Sequence, residues 1–157
     1  MLRAQKTLPA ASARNLRFGI AAASYNTELA DALLEHCVKT LNAAGAKTIY
    51  VVRVPGSFEI SAAATWLAKS GRYDCVIGLG VILKGETSHA HHIADAVAHG
   101  LTTIACQTGV PTVFGVVTAN TPKQARVRCL GTKYNRGVEA AETAIAMAHL
   151  HRAWKRT

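Results

Sequence analysis

The segment Lys84-Gly85-Glu86-Thr87-Ser88-His89 holds the residues whose types and order best suit chemistry. It follows an apolar run, Tyr73 to Leu83, and enters a helical pattern that starts near Ser88. A glycine lets backbone come close to a ligand. The free N–H groups of a helix start, at the positive end of its dipole, form an anion site. Thr87 or Ser88 can cap the helix or offer a hydroxyl to phosphate. In the first turn the dipole disfavours an imidazolium, so His89 is expected to be a neutral ring able to accept a proton. The plainer reading of the same residues is a capped helix with a surface histidine. Neither a GxxxxGK[ST] nor a GxGxxG pattern occurs, so a nucleoside triphosphate site is not supported.

Other residues could join such a site. Tyr25-Asn26 offers a flat ring and an amide that could stack on and hydrogen-bond a planar heterocycle, although a tyrosine at a strand end more often just packs. Phe58 and Phe114 could be core or pocket wall. Arg128 lies in a basic stretch with Arg126, Lys133 and Arg136. One of these could clamp a phosphate, or all could form a solvated helix face. His89 and His92 share a helix face and could hold a metal with a third ligand. No Asp, Glu or Cys stands at an evident ligand spacing, so no metal is expected, and His91 and His92 read as solvated or at an interface.

These residues need elements to position them. Residues 17 to 24 read as a buried strand. Leu29, Leu33, Cys37 and Leu41 recur every four residues in a helix from about Thr27 to Ala44, stopped by Gly45. Thr48 to Val54 is a β-branched run ended by Pro55-Gly56. A second helix carries Ile60, Ala63, Ala64 and Leu67 and ends at Gly71. Tyr73 to Leu83 reads as a strand buried on both faces. A third helix is expected from about Ser88 to Ala98, closed by Gly100. Thr102 to Gln107 and Thr112 to Thr118 read as two further short strands. Helices follow near Pro122 to Cys129 and from about Arg136, the last with Val138, Ala141, Ile145 and Ala148 as its apolar stripe.

Strand-helix alternation at this spacing implies βαβ units. The expected fold is α/β: a flavodoxin-like three-layer α/β/α sandwich around a central parallel four-stranded sheet, with an N-terminal arm or strand. Residues 1–16 are taken as the arm and 17–157 as a single domain. Ligands bind such sheets outside the carboxyl ends of the strands. Polar and aromatic residues collect at those ends: Ser24 to Asn26, Pro55 to Glu59, Lys84 to His89 and Phe114-Gly115.

The 157 residues, half of them apolar, suffice for one core. The net charge of +9 lies mainly at the two ends and between Lys123 and Arg136. With 6% aromatic residues the chain lacks the stacking platforms of a single-strand nucleic-acid binder. No apolar run approaches the ~20 residues of a membrane helix, and the first residues carry no apolar signal core. Cys37, Cys75, Cys106 and Cys129 form no C-x-x-C pair. They read as small buried hydrophobes in a reducing cytoplasm.

Taken in order, the motifs are more specific than any one alone. Tyr25-Asn26, Val-Pro-Gly-Ser-Phe-Glu at 54 to 59, Gly-Val-Ile-Leu-Lys-Gly-Glu-Thr-Ser-His at 80 to 89, Thr-Gly-Val-Pro-Thr-Val-Phe-Gly-Val-Val-Thr at 108 to 118, and Gln124-Ala125 with Arg128 and Asn135-Arg136-Gly137 resemble the lumazine synthase family. The resemblance covers about residues 17 to 150. It implies a condensation of 5-amino-6-(D-ribitylamino)uracil with 3,4-dihydroxy-2-butanone 4-phosphate, through imine formation, phosphate elimination and ring closure. The products are 6,7-dimethyl-8-ribityllumazine, phosphate and water, the penultimate step of riboflavin biosynthesis. No metal or organic cofactor is implied.

By position, Tyr25 matches the aromatic that stacks on the pyrimidine. Asn26, Ser57, Phe58 and Glu59 match the segments around the pyrimidine and ribityl chain, and Val81 and Ile82 the backbone that reads the ring edge. Gly85, Glu86 and Thr87 match the phosphate loop, and His89 the proton-transfer residue. Phe114 and Arg128 match residues supplied by a neighbouring subunit, Arg128 on the phosphate, with Lys133 and Arg136 as further basic positions. A homopentamer is implied, with a shell of twelve pentamers and association with riboflavin synthase as further possibilities. The chain departs from the family pattern at Tyr25, where Phe or Trp is common, and at Ala90-His91-His92, where an aromatic, an Asp and another aromatic are usual. Arg136 replaces a lysine, and another basic position falls on Thr132, with Lys133 one residue along. A non-catalytic lumazine- or flavin-binding homologue is the competing expectation.

Overall fold

The computed structural model describes residues 11 to 156. The strands are β1 (Arg17–Ala23), β2 (Thr48–Val54), β3 (Cys75–Leu83) and β4 (Thr112–Ala119). They form one parallel sheet in the order β2-β1-β3-β4. The helices are α1 (Thr27–Ala43), α2 (Ile60–Lys69), α3 (His89–Thr108), α4 (Pro122–Leu130) and α5 (Arg136–Trp154), with a 3-10 turn at Ser57–Glu59. The expected three-layer sandwich around four parallel strands is the fold observed.

Burial explains the strand order. In β3 every residue from Cys75 to Ile82 is buried, as an inner strand covered on both faces requires. Its inner neighbour β1 sends Phe18, Ile20 and Ala22 to one face and Ala21 and Ala23 to the other. In β2 Thr48, Tyr50 and Arg53 are exposed, as suits an edge strand. One face carries α1, α4 and α5, the other α2 and α3. The fourfold repeat Leu29, Leu33, Cys37 and Leu41 is buried in the first of these layers. Each such leucine contributes ~1.5–3 kcal/mol by leaving water.

One expectation is corrected. Residues 102 to 107 are not a strand: α3 runs unbroken from His89 to Thr108. Gly100 is not its stop. A Cβ at Gly100 would run into Ser61 Oγ and Cβ of α2, so the glycine lets two helices pack closely. That contact outweighs the ~1 kcal/mol a mid-helix glycine costs. The actual stop is Gly109, at φ 72°. Thr102 and Thr103, which gave the segment its β-branched look, are exposed on the helix surface, whereas Leu101 and Ile104 are buried.

Of the expected arm, residues 1 to 10 lie outside the described residues. Ala13 and Leu16 are fully buried. The Ala13 amide donates to the Ala44 carbonyl at 2.8 Å, and Arg14 bridges Ala46 in antiparallel fashion. Three of the four cysteines are buried as expected, and burial raises the thiols of Cys37 to about 12 and Cys129 to about 11. Cys106 departs from the expectation, because α3 continues through it and turns it outward. No helix among the described residues is long and apolar enough to cross a membrane.

Asp74, just ahead of β3, ties the amino ends of the sheet to the end of α5. It is nearly buried. Its carboxylate accepts from the Arg17 amide at 2.7 Å and from Arg152 Nε and Nη2 at 2.9 and 2.8 Å. Burial pushes this carboxyl up, but the hydrogen bonds from Arg152 and the Arg17 amide and the charge of Arg152 outweigh it and hold it below its ordinary 3.8. A carboxyl lowered on folding stabilises the fold above its unfolded value, and that contribution is lost as pH falls through the folded value. Asp74→Ala is therefore expected to cost about 1–3 kcal/mol in urea unfolding at pH 7 and fixed protein concentration. The difference from the parent should shrink below pH 4. An unchanged midpoint at pH 7 would remove this anchor from the account.

Candidate active site

The strands β1, β2 and β3 end side by side, and the loops that follow them interlock. The Ser24 amide donates to the Val54 carbonyl at 2.9 Å, and the Tyr25 amide to the Pro55 carbonyl at 2.9 Å. Asn26 takes a left-handed conformation, φ 59° and ψ 50°, as asparagine tolerates. Its Nδ2 donates to the Val81 carbonyl at 2.9 Å, fastening the end of β1 to the end of β3. Glu59 Oε2 accepts from the Gly56 amide at 2.9 Å, the glutamate half of a capping box, and so shapes the turn over the sheet. Gly80 in β3 makes room for that turn, since a Cβ there would overlap Ser57 Oγ. Gly56 does the same for Tyr25, whose ring lies 3.0 Å from where a Cβ would stand.

A cavity of about 670 Å³ opens above these ends. Its walls bring together Tyr25, Asn26, Ser57, Phe58, Glu59, Val81, Ile82, Gly85, Thr87 and His89. All ten come from the positions read as site residues, and they derive from three separate strand ends. Tyr25 and Phe58 are 66% and 60% exposed. Two large aromatics left open beside a cavity suit a flat ligand rather than core packing. The Val81 carbonyl accepts one bond from Asn26 and keeps a second lone pair. A larger hollow of about 840 Å³ lies between α1 and α5, lined by His36, Lys39 and Glu142 among mostly apolar neighbours. It is away from the strand ends and carries none of the residues read as site positions.

The residues read as a phosphate loop lie at the start of α3. Gly85, Thr87 and His89 line the cavity. Thr87 Oγ1 accepts weakly from the His89 amide at 3.4 Å. Ser88, the residue before the helix, makes no capping bond, and its hydroxyl lies 3.2 Å from His92 Nε2 instead. A Cβ at Gly85 would meet nothing within 4 Å, so packing within the chain does not demand a glycine there. Glu86 is exposed and does not line this cavity.

Phe114, Arg128, Lys133 and Arg136 lie elsewhere. Phe114 is 41% exposed on β4, beside Arg136 in a hollow of about 170 Å³. Arg136 pairs with Glu139 at 2.7 Å. Arg128 lies over the Tyr134 ring at 5.7 Å, with Lys133 at 5.9 Å from the same ring. A single chain thus separates these four residues from the cavity. His91 sits 3.3 Å from Asp95. His92, read as solvated or at an interface, lines the cavity with Ala90 and Ile93. Its i+3 spacing from His89 was the signal that could have placed it there. Among the described residues, no three His, Cys, Asp or Glu side chains gather as a metal site.

This arrangement can stack a planar ring on Tyr25 and Phe58 and receive an anion at the start of α3, with the His89 imidazole lining the same cavity. The sequence model of the family described as 6,7-dimethyl-8-ribityllumazine synthase matches residues 15–152. A protein of that name from Thermococcus gammatolerans is 41% identical over 139 residues, covering 88% of this chain and 90% of the relative. One from Gloeobacter violaceus is 43% identical over 145 residues, covering 88% and 80%. One from an Arthrobacter species is 40% identical over 144 residues, covering 90% and 88%. With its motifs in the same order over nearly its whole length, this chain belongs to the 6,7-dimethyl-8-ribityllumazine synthase family.

Proposed function

We propose that this chain is a transferase that condenses 5-amino-6-(D-ribitylamino)uracil with 3,4-dihydroxy-2-butanone 4-phosphate to form 6,7-dimethyl-8-ribityllumazine. The observation that carries the proposal is the cavity itself. Family membership points to a reaction, and one cavity is lined by Tyr25, Phe58, Gly85, Thr87 and His89, the residues this reading assigns to ring stacking, the anion and proton transfer.

The pyrimidine lies against Tyr25 and Phe58, with Asn26, Ser57 and Glu59 toward its ribityl chain and the backbone of Val81 and Ile82 at its edge. The phosphate of the second substrate rests on Gly85 to Thr87 and the free amides of α3. Holding both substrates converts amine attack on the ketone into a reaction within one complex. His89, between ring and phosphate, moves the protons: from the attacking amine, to the departing water, and from carbon as phosphate leaves. The chain's residues need only bind, orient and transfer protons.

We infer that the working enzyme is a homo-oligomer, read as a pentamer in the cytoplasm. Phe114 and Arg128, exposed or half-exposed and away from their own cavity, are placed to complete the cavity of an adjacent copy. Lys133 and Arg136 add positive charge to the same surface. This also gives the +9 net charge a use, because a phosphate and a second copy's site face that surface. Sedimentation distinguishes a pentamer from a shell of twelve, and co-purification tests association with riboflavin synthase.

Two outcomes follow for activity. His89→Ala is expected to lower the rate of lumazine formation at saturating substrates by roughly a hundredfold or more, with the oligomer intact. A rate within about threefold of the parent would remove His89 from proton transfer. Arg128→Ala is expected to raise the KM for the phosphorylated substrate roughly tenfold. With the phosphorylated substrate well below the raised KM, mixed oligomers of His89→Ala and Arg128→Ala chains should be more active than either variant alone, because some sites then draw both intact residues from different chains. No recovery on mixing would place the whole site within one chain.

A further inference from the structure

The strongest feature that the reaction has not absorbed is His92. The family pattern puts an aromatic at this position, whereas this chain carries a second imidazole three residues after the proton-transferring one. It lines the same cavity as Gly85, Thr87 and His89. Helical side chains lean toward the helix start. A ring at position 92 therefore leans over the first turn, where the proposed reaction seats its anion. The contact between His92 Nε2 and Ser88 Oγ, 3.2 Å apart and four residues earlier, fits that lean. His91 is differently disposed: it pairs with Asp95 and lines an adjoining hollow rather than the site cavity.

Donor counting gives the pair a use. A serine hydroxyl brings one donor and a neutral imidazole brings one N–H. Their mutual bond consumes one of the two and leaves the other. When Ser88 O–H donates to Nε2, the ring proton must reside on Nδ1. Nδ1–H is then free to donate to a ligand. Ser88 is not among the residues that line the site cavity, whereas its partner ring is. The hydroxyl acts through the ring, as a residue that fixes a tautomer.

We propose that His92 is a phosphate-contacting residue of this site, donating from Nδ1 to the substrate phosphate, with Ser88 as the positioning residue that sets its tautomer. The proposal rests on the lumazine synthase reading for the identity of the substrate, but the anion contact itself can be measured without turnover. An apolar aromatic at 92 would keep the packing and lose the donor. This chain thus adds an imidazole N–H donor to the phosphate subsite beyond the loop amides and the arginine of an adjacent copy.

The test uses the intact oligomer, checked by sedimentation, and inorganic phosphate as the probe in titration calorimetry. Because His92 and Ser88 are exposed, the variants should fold. His92→Phe is expected to raise the Kd for inorganic phosphate roughly tenfold. It should raise the KM for the phosphorylated substrate by a similar factor. The KM for the pyrimidine and the kcat should stay within about threefold. Ser88→Ala should weaken phosphate roughly two- to fivefold, and Ser88→Thr, which keeps the hydroxyl, should restore it. A phosphate Kd for His92→Phe within about twofold of the parent overturns the proposal, as does a parent oligomer that binds no phosphate. If the parent shows no turnover yet His92→Phe loses phosphate, the reaction assignment fails and the anion contact stands. If the parent turns over and phosphate affinity ignores position 92, the reverse holds.

Discussion

Everything in the site depends on where β3 ends and on the hydrogen bond from Asn26 Nδ2 to the Val81 carbonyl that fixes a neighbouring loop to that end. β3 is covered on both faces, so it has no freedom to shift without disturbing both layers of core. Its last residues therefore form a rigid platform. Asn26 carries that rigidity to Tyr25, and the Gly80 gap carries it to Ser57 and Phe58. The loop from Lys84 to Ser88 leaves the same platform and delivers the start of α3. The Tyr25 ring, the Ser57–Glu59 turn and the start of α3 thus share one fixed reference, as the proposed reaction between two bound substrates requires.

The opposite end of the sheet shows the complementary constraint. Asp74 gathers the start of β1, the entry to β3 and the end of α5 through charge-assisted bonds. It lies far from any chemistry and serves only to hold the layers in register. The division is general for parallel α/β sheets: stability is concentrated at the amino ends of the strands and binding at the carboxyl ends.

Much of this was legible in the sequence because local and global signals agreed. The apolar run into Leu83, the fourfold leucine repeat of α1 and the Pro55-Gly56 stop each have a single physical reading, and the structure has it. The polar clusters after three strands met in one cavity because the strand-end rule is a property of the sheet. Legibility failed where a contact between distant elements decided. Gly100 looked like a helix stop because its packing partner, Ser61, lies on another helix. Once that stop was assumed, Thr102 to Gln107 read as a strand. His92 was recognised as sharing a face with His89, but only the folded loop shows that this face borders the cavity. Phe114 and Arg128 are assigned to the site of a neighbouring copy only through the family resemblance. A single chain gives no local reason to join them to Gly85 or His89.

The central claim is a site that one chain begins and another completes. A crystal structure of the assembled protein grown with inorganic phosphate and the lumazine product tests it most directly. The account predicts phosphate bound to the Gly85–Thr87 backbone of one copy with Arg128 of the adjacent copy in contact, and the lumazine ring against Tyr25. Phosphate held entirely by residues of one copy, with Arg128 of every neighbour out of reach, would contradict it.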